Sequence, residues 1–356
     1  MPIKSETELL FVHLGNEKAS HLASNIKFIQ TLLPRTNINC VLSKNSQLSR
    51  KLPLGVNIFT YKPNEKIDAI FESKILDKKF RNGFWRYSLE RLLAINIVHN
   101  LRPHTSQIHI ESDVLLLPGF PISNFSKIEK ICWLESSFES DIASIVCFPN
   151  QKLTEKFTEH ILSYIHDSSS PTDMHALYYL RKKYPNSYGL LPSSNGKFPK
   201  LATLKSDATN HEVQLDGVFD AASVGMWLTG IDPRNYYGFT KYFSTEKLAN
   251  SKFFINPNSY PLSFVRNQGL YFIDGNKKLQ IYNLHVHSKS KKIFSEHSYK
   301  EIEKLVKFSQ KNRVRTRFKP RILVELIVSN FLKRTLLEFI YNSPLLYPLK
   351  YLRNHH

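Results

Sequence analysis

The chain has 356 residues, of which 42% are hydrophobic, and its 49 Lys and Arg against 30 Asp and Glu give a formal net charge of +19. This length and apolar content suffice for a sizeable core in one large domain or two smaller ones. Three cysteines without a CxxC pair argue against a disulfide framework, no apolar run reaches the length of a membrane span, and the basic charge calls for an anionic partner.

Apolar strands alternate with amphipathic helices along much of the chain. The predicted strands are 9–15, 37–42, 56–61, 108–117, 131–133, 142–148 and 279–287. The predicted helices are 19–33, 84–99, 153–165 and 174–183, and a long loop is predicted over 185–212. Because the first strands are apolar throughout, they are expected to pair in parallel and to be covered on both faces, which defines an α/β fold.

The strand predicted over 108–117 carries an acidic step. Glu111 and Asp113 are two residues apart, so strand alternation would point both carboxylates to the same face. Two carboxylates on one face repel each other, and a cation such as Mg²⁺ or Mn²⁺ removes that repulsion. The alternative is a strand that ends at Glu111, with Ser112 and Asp113 simply turning the chain.

Two later segments add polar groups that suit the same chemistry. One holds His285, His287 and Lys289 at strand spacing. The other holds Asp216 and Asp220 among glycines and small residues, which let a ligand approach the backbone. A cation held by carboxylate and imidazole, with basic side chains nearby, suits a reaction in which a diphosphate leaves.

These segments occur in a recognisable order. The helix segment 84–92, FWRYSLERL, precedes the strand segment 109–114, HIESDV. This order resembles the nucleotide-sugar glycosyltransferases of the GT-A fold, in which an aromatic, arginine-bearing helix precedes a strand ending in an Asp-x-Asp metal motif. The opening strand 11–15 resembles the family's first strand, whose end meets the nucleotide base, and 219–235 resembles the acceptor-side loop and helix.

The resemblance implies a GT-A-like, Rossmann-type mixed sheet flanked by helices, and a role for each candidate residue. The implied metal ligands are Asp113, Glu111 and either His285 or His287. The implied donor-binding residues are Phe11, His13, Arg86, Arg91, Glu111, Ser112 and Lys289. Asp220 or Asp216 is implied as the base that activates the acceptor hydroxyl in an inverting reaction. Glu111 departs from the family's Asp and is longer by a methylene, so it could instead reach the ribose or a metal-bound water.

The predicted catalytic domain spans 1–290, with a nucleotide-sugar-binding half over 1–125 and an acceptor half over 126–290. A basic, helical C-terminal extension follows over 291–356. From Ser288 onward the chain carries 16 Lys and Arg against 5 Asp and Glu. This extension could lie on an anionic membrane, or pack on the catalytic domain with its basic face in water.

We therefore expect a metal-dependent glycosyltransferase that transfers a hexose or related sugar. It would use Mn²⁺ or Mg²⁺ and a UDP- or GDP-sugar, and act on a glycan or glycolipid in surface polysaccharide synthesis. No leader-like apolar run follows Met1, so a cytoplasmic protein is expected, with attachment at the inner face of a membrane as an option.

Two alternative functions stay open. A metal-dependent phosphoryl hydrolase or nuclease would account for the acidic step, but the next acids, Glu129 and Glu135, do not form a comparable step. A non-enzymatic nucleic-acid binder would account for the charge, but no helix-turn-helix, RNP or zinc pattern is present, so a nucleic-acid partner is not expected.

Overall fold

The computed structural model describes residues 6–15, 19–76, 83–137, 140–193, 203–204, 213–229, 261–286, 293–295 and 297–316. His287, Lys289, most of the segment predicted as a long loop, and the extension beyond residue 316 lie outside the described residues. The predictions made for them stay predictions.

The described strands and helices follow one another in an α/β order. The strands are β1 Thr7–His13, β2 Ile38–Ser43, β3 Val56–Tyr61, β4 Ser106–Ile110, β5 Val114–Leu116, β6 Ile131–Ser137, β7 Ser140–Phe148, β8 Tyr188–Leu190, β9 Thr203–Leu204, β10 Val213–Gln214, β11 Gly217–Val218, β12 Leu262–Val265, β13 Gly269–Asp274, β14 Lys277–Ile281 and β15 Asn283–His285. The helices are α1 Ser20–Leu32, a 3-10 helix Gln47–Lys51, α2 Glu65–Glu72, α3 Phe84–Leu101, α4 Ile122–Phe125, α5 Gln151–Asp167, α6 Asp173–Lys183, α7 Ser223–Thr229 and α8 Ser298–Thr316.

A seven-stranded sheet of order β3-β2-β1-β4-β7-β6-β8 forms the centre of the fold. β3, β2, β1 and β4 are parallel, β7 is antiparallel to both β4 and β6, and β8 is parallel to β6. The continuous apolar run in β1 is explained by burial on both faces, as parallel pairing requires. The predicted mixed sheet flanked by helices is confirmed.

Helices cover this sheet on both faces. On one face, Leu22 and Ile26 of α1 pack with Leu9 of β1 in an apolar core. On the other face, α3, α5 and α6 pack together, with Leu92 and Phe157 fully buried among them. The chain therefore builds a three-layer arrangement in which the sheet ends are left to form a site.

A third apolar core lies over strands that do not belong to the large sheet. β11, β14, β13 and β12 form a four-stranded sheet, and β5 pairs with β15 in a separate ribbon. α8 packs on this part through Ile302 and Val306, which share a core with Leu270 and Leu284. Within the predicted basic extension, the segment from Ser298 is therefore helical, and its first turns pack against the body of the protein.

Two of the predicted strands prove to be split. The segment 108–117 divides into β4 and β5, and the segment 279–287 divides into β14 and β15. At each break the chain leaves one sheet and enters another. The apolar pattern runs through both breaks because both halves are buried, so the prediction of one continuous strand in each segment is wrong.

The loop predicted over 185–212 is interrupted by structure. β8 joins the edge of the large sheet, where Tyr188 pairs with Ile131, and β9 pairs with β10. Strands of two or three residues are too short for a period-two pattern to indicate them.

Glu8 on β1 is a fully buried carboxylate. Its Oε1 accepts a hydrogen bond from Arg102 at 2.5 Å, and its Oε2 accepts from Asn39 and Gln107, each at 2.8 Å. A charge can be buried when it is both paired and hydrogen-bonded. These bonds link β1 to the strands on either side of it.

Replacing Glu8 with alanine is expected to lower the free energy of unfolding by about 3 kcal/mol, because the guanidinium of Arg102 and the amides of Asn37, Asn39 and Gln107 lose their shared acceptor. Urea denaturation would measure this loss. Glu6→Ala, at an exposed position two residues earlier, is the matched control. A loss below about 1 kcal/mol for Glu8→Ala, the range of an exposed ion pair, would contradict the prediction.

Within the part of the chain that the structure describes, no helix combines the length and the apolar character needed to cross a bilayer.

Candidate metal centre

The topology of the large sheet places a crevice between β1 and β4. From β1 the chain moves to β2 on one side, and it returns later to add β4 on the other. Ligands of open α/β sheets bind at such a reversal of strand order, beyond the carboxyl ends of the strands. Gly15 lies just beyond the end of β1, and Glu111 follows β4 directly. The acidic step therefore stands at the edge where a ligand is expected.

The acidic step is a turn and not a strand. The N–H of Glu111 donates to the carbonyl of Ser144 at 3.0 Å, which ends the pairing of β4. The N–H of Val114 then donates to the carbonyl of Glu111 at 3.0 Å, closing a turn over Ser112 and Asp113. The prediction that strand alternation aligns the two carboxylates is wrong. The alternative, in which Ser112 and Asp113 turn the chain, is the one observed, and the turn itself brings the carboxylates together.

β15 brings a histidine to this turn. His285 pairs with Val114 of β5, and the N–H of Val286 donates to the carbonyl of Asp113 at 2.8 Å. The Nε2 atom of His285 lies 3.3 Å from Oε2 of Glu111 and 3.5 Å from Oδ1 of Asp113. One ligand atom from each of these three residues lies within 4.8 Å of the others.

The ring of His285 is oriented for a cation. Its Nδ1 lies 2.6 Å from the carbonyl of Ala221 and donates to it, so Nε2 faces the carboxylates. Burial alone would lower the pKa of His285, but the charge and hydrogen bond of Asp113 and the charge of Glu111 outweigh it and raise the pKa to about 9. The two carboxylates thus stabilise a positive charge at this point.

The donor set suits a divalent cation. Two carboxylates and one imidazole with its second nitrogen anchored to a carbonyl are typical of metal ligands in proteins. The side chains of Glu111 and Asp113 are each 14% exposed, so the centre opens to solvent on their side. His285 is fully enclosed behind them. The residues therefore fit a hard cation such as Mn²⁺ or Mg²⁺.

Asp220 is fully buried behind His285. Its Oδ1 accepts the N–H of Val224 at 2.9 Å, and its Oδ2 accepts the N–H groups of Gly225 at 2.7 Å and His285 at 3.1 Å. Burial raises the pKa of this carboxyl, and the three backbone donors oppose that rise. Asp220 thus ties the first turn of α7 to β15. Asp216, by contrast, is exposed.

α1 holds the turn from the other side. Nδ2 of Asn25, which is fully buried, donates to the carbonyls of Ser112 at 3.1 Å and Val114 at 2.8 Å. Nε2 of His21, one turn earlier, lies 3.2 Å from Oγ of Ser112. The amide orientation of Asn25 is determined by these two acceptors, since the reversed amide would place its oxygen against them.

The two arginines proposed to hold the donor have different surroundings. Arg91 is paired with Glu111 and, at 2.9 Å, with Oδ2 of Asp173 at the start of α6. Arg86 is paired with Asp68 and, at 2.7 Å, with Glu90. The structure therefore brings Arg91 to the candidate centre, whereas the described ion pairs of Arg86 are with carboxylates elsewhere.

The residues proposed near the nucleotide base lie on β1. Phe11 is 1% exposed and belongs to the core beneath α1. His13, at the end of β1, is half-buried and pairs with Leu42. Of the two, His13 is the one at the carboxyl edge of the sheet.

Sequence reasoning missed Asn25, His21 and Asp173. His21 and Asn25 are four residues apart on α1, and this spacing places two polar groups on the same side of the helix. Asp173 follows Thr172, whose side chain caps α6, so its sequence context is that of an ordinary helix start. Of these three residues, only His21 and Asn25 are indicated by a pattern in the sequence.

No protein-family model matches the chain, and no curated protein matches its sequence. Among solved structures it is similar to the galactosyltransferase LgtC in complex with donor and acceptor sugar analogs, with 10% identity and a TM-score of 0.36 over 52% of this chain and 73% of that one. An active-site mutant of LgtC aligns with 11% identity and a TM-score of 0.37 over 68% and 95% of the two chains.

A third solved structure, the glycosyltransferase GlyE of Streptococcus pneumoniae TIGR4, aligns with 10% identity and a TM-score of 0.35 over 52% of this chain and 46% of that one. The matched part thus spans less than half of GlyE. At these TM-scores the likenesses are remote, and the function proposed below is derived from the site itself.

Proposed function

We propose that the protein is a metal-dependent glycosyltransferase of the GT-A type that transfers a sugar from a nucleotide-sugar donor. The observation that carries the proposal is the cluster of Glu111, Asp113 and His285 at the strand-order reversal of the sheet. A divalent cation held there would neutralise the charge that builds up on a departing nucleoside diphosphate.

Some residues present ligand atoms to the cation, and others position the residues that do so. Asp113 and Glu111 present carboxylate oxygens on one side, and His285 presents Nε2 on the other. Asn25 and Asp220 position these ligands, one through the turn and the other through β15. Preorganised groups of this kind spare the reaction the cost of arranging them during the chemical step.

Each of the remaining candidate residues also has a proposed role. His13 and the end of β1 would face the nucleotide base, and Lys289 would contact phosphate. Asp216 is the exposed one of the two candidate bases, so it is retained for the acceptor hydroxyl, whereas the geometry of Asp220 fits a positioning role. His287 stays a candidate for a further contact to the cation.

The acceptor is proposed to be a glycan or glycolipid of surface polysaccharide synthesis, and the donor a UDP- or GDP-sugar. Support comes from the charge of the chain, since the basic segment from Ser288 onward suits an anionic membrane surface. A cytoplasmic enzyme that works at the inner face of a membrane would meet such an acceptor.

A thermal-shift experiment tests the function. UDP- and GDP-linked sugars are added with and without Mn²⁺ to the wild type and to Asp113→Asn, which keeps the size of the side chain and removes its charge. A ligand that binds only the folded state stabilises it by about 2.7 kcal/mol at a hundredfold excess over its Kd. We expect one nucleotide class to raise the Tm of the wild type only with Mn²⁺.

The control is the Tm of each protein without ligand, against which its own shift is measured. Asp113→Asn is expected to lower this starting Tm, because Asp113 stabilises the positive charge of His285. A shift that persists in Asp113→Asn would contradict the metal role of this residue. If no sugar nucleotide shifts the wild type while a phosphoester does, the proposed transferase is wrong and a phosphoryl hydrolase takes its place.

A further inference from the structure

The two oxygens of Glu111 face different partners. Oε1 is paired with Nη1 of Arg91, whereas Oε2 lies 3.3 Å from Nε2 of His285, inside the candidate metal centre. A carboxylate can chelate one cation with both oxygens only when both are free. In this arrangement Arg91 holds Oε1, so Oε2 is the oxygen of Glu111 that can bind a cation.

Arg91 is itself held in place from the far side. Its Nη2 donates to Oδ2 of Asp173 at 2.9 Å, and its side chain is only 13% exposed. Asp173 is the first residue of α6, and Arg181 near the other end of that helix donates to the buried Asp141 on β7 at 2.7 Å. Asp173 is therefore anchored to the large sheet by a second ion pair on the same helix.

The contacts of Arg91 with Glu111 and Asp173 are electrostatic as well as steric. Arg91 shares its one positive charge between Glu111 and Asp173, so neither carboxylate is buried unpaired. Desolvation raises the pKa of Asp173, and Arg91 opposes the rise. If Asp173 were neutral in charge, the guanidinium would have Glu111 as its single strong partner, and a planar guanidinium binds both oxygens of a carboxylate well.

We propose that Asp173 is a positioning residue which, through Arg91, makes Glu111 a one-oxygen ligand and so sets the affinity of the centre for its cation. The inference rests on the proposed function. Partners that orient a metal ligand typically change metal affinity by about 10- to 100-fold when they are removed.

The test measures the binding of Mn²⁺ alone to the folded protein, by the loss of the EPR signal of free Mn²⁺. In Asp173→Asn, Arg91 is expected to close on both oxygens of Glu111, and the affinity for Mn²⁺ to fall about 10-fold. Asp173→Glu keeps the charge and is expected to restore most of the affinity. Circular dichroism would show that each variant folds.

Asp68→Asn is the matched control. Asp68 also pairs with an arginine of α3, namely Arg86, one turn before Arg91, but that arginine has no described bond to the metal centre. This variant is expected to bind Mn²⁺ as the wild type does. If Asp173→Asn fails to fold, Asp173→Ser replaces it, since a hydroxyl is also uncharged and leaves Arg91 with Glu111 as its strong partner, and a similar loss of affinity is expected.

The outcomes separate the two proposals. If the wild type binds Mn²⁺ and Asp173→Asn binds it equally well, the role of Asp173 is overturned and the metal centre stands. If Asp68→Asn loses as much affinity as Asp173→Asn, the effect is a general one of charge on α3 and the inference also falls. If the wild type binds no Mn²⁺, the metal centre and the inference fall together.

Discussion

Replacing His285 with glutamine is expected to lower the affinity of the folded protein for Mn²⁺ at least about 100-fold, beyond the range caused by losing a supporting partner. The imidazole supplies the single nitrogen of the described cluster, and its Nε2 is aimed by the bond from Nδ1 to the carbonyl of Ala221. Glutamine has much of the volume of histidine, but it has no ring whose second nitrogen could be oriented by the bond to Ala221. Isothermal titration calorimetry with Mn²⁺ would measure the loss.

His160→Gln is the control for this substitution. His160 lies on α5, where its ring stacks on Tyr184 with centroids 3.9 Å apart, and it belongs to no described cluster of metal-ligating groups. Its replacement is expected to leave Mn²⁺ binding unchanged. A wild-type affinity retained in His285→Gln would mean that the carboxylates hold the cation without β15.

The large sheet could be predicted from the sequence because the patterns that indicate its strands and helices are local. The apolar runs of β1 and β2 and the amphipathic pattern of α1 mark each element within a few residues of its observed bounds. The break between β4 and β5 is one of two alternatives that the sequence leaves open, and local patterns do not decide between them. It depends on Asn25, some 87 residues away, which bonds to the carbonyls of the turn.

The residues of the candidate site likewise differ in whether a local sequence pattern indicates them. Glu111, Asp113 and His285 could be proposed because two close carboxylates and a strand histidine are unusual chemistry in an apolar setting. Asp173 could not, because its importance arises from Arg91, 82 residues away. The resemblance implies Asp220 as a base, whereas its two oxygens accept backbone N–H groups, one of them from the distant His285. Long-range pairing leaves no local pattern.

The packing of α7 on β15 predicts a large effect at Gly225. A Cβ atom at this position would lie 2.0 Å from the carbonyl oxygen and 2.6 Å from the carbonyl carbon of His285, both backbone atoms. In an open helix, alanine in place of glycine stabilises by about 1 kcal/mol. Here the clash is expected to outweigh that gain, so Gly225→Ala should lose about 1–3 kcal/mol of stability, the usual cost of overpacking.

The same clash links stability to metal binding, because the strand that must move carries His285. Asp220 accepts the N–H groups of both Gly225 and His285 on one oxygen, so α7 and β15 cannot separate without loosening that anchor. Gly225→Ala is therefore expected to lower Mn²⁺ affinity about 10-fold, like the loss of a supporting partner, as measured by the same calorimetric titration. Gly275→Ala, in a turn with no atom within 4 Å of the added carbon, should leave Mn²⁺ binding unchanged. If Gly225→Ala instead raises the Tm and binds Mn²⁺ normally, helix propensity has won, and α7 does not hold β15 in the manner that the hydrogen bonds of Asp220 indicate.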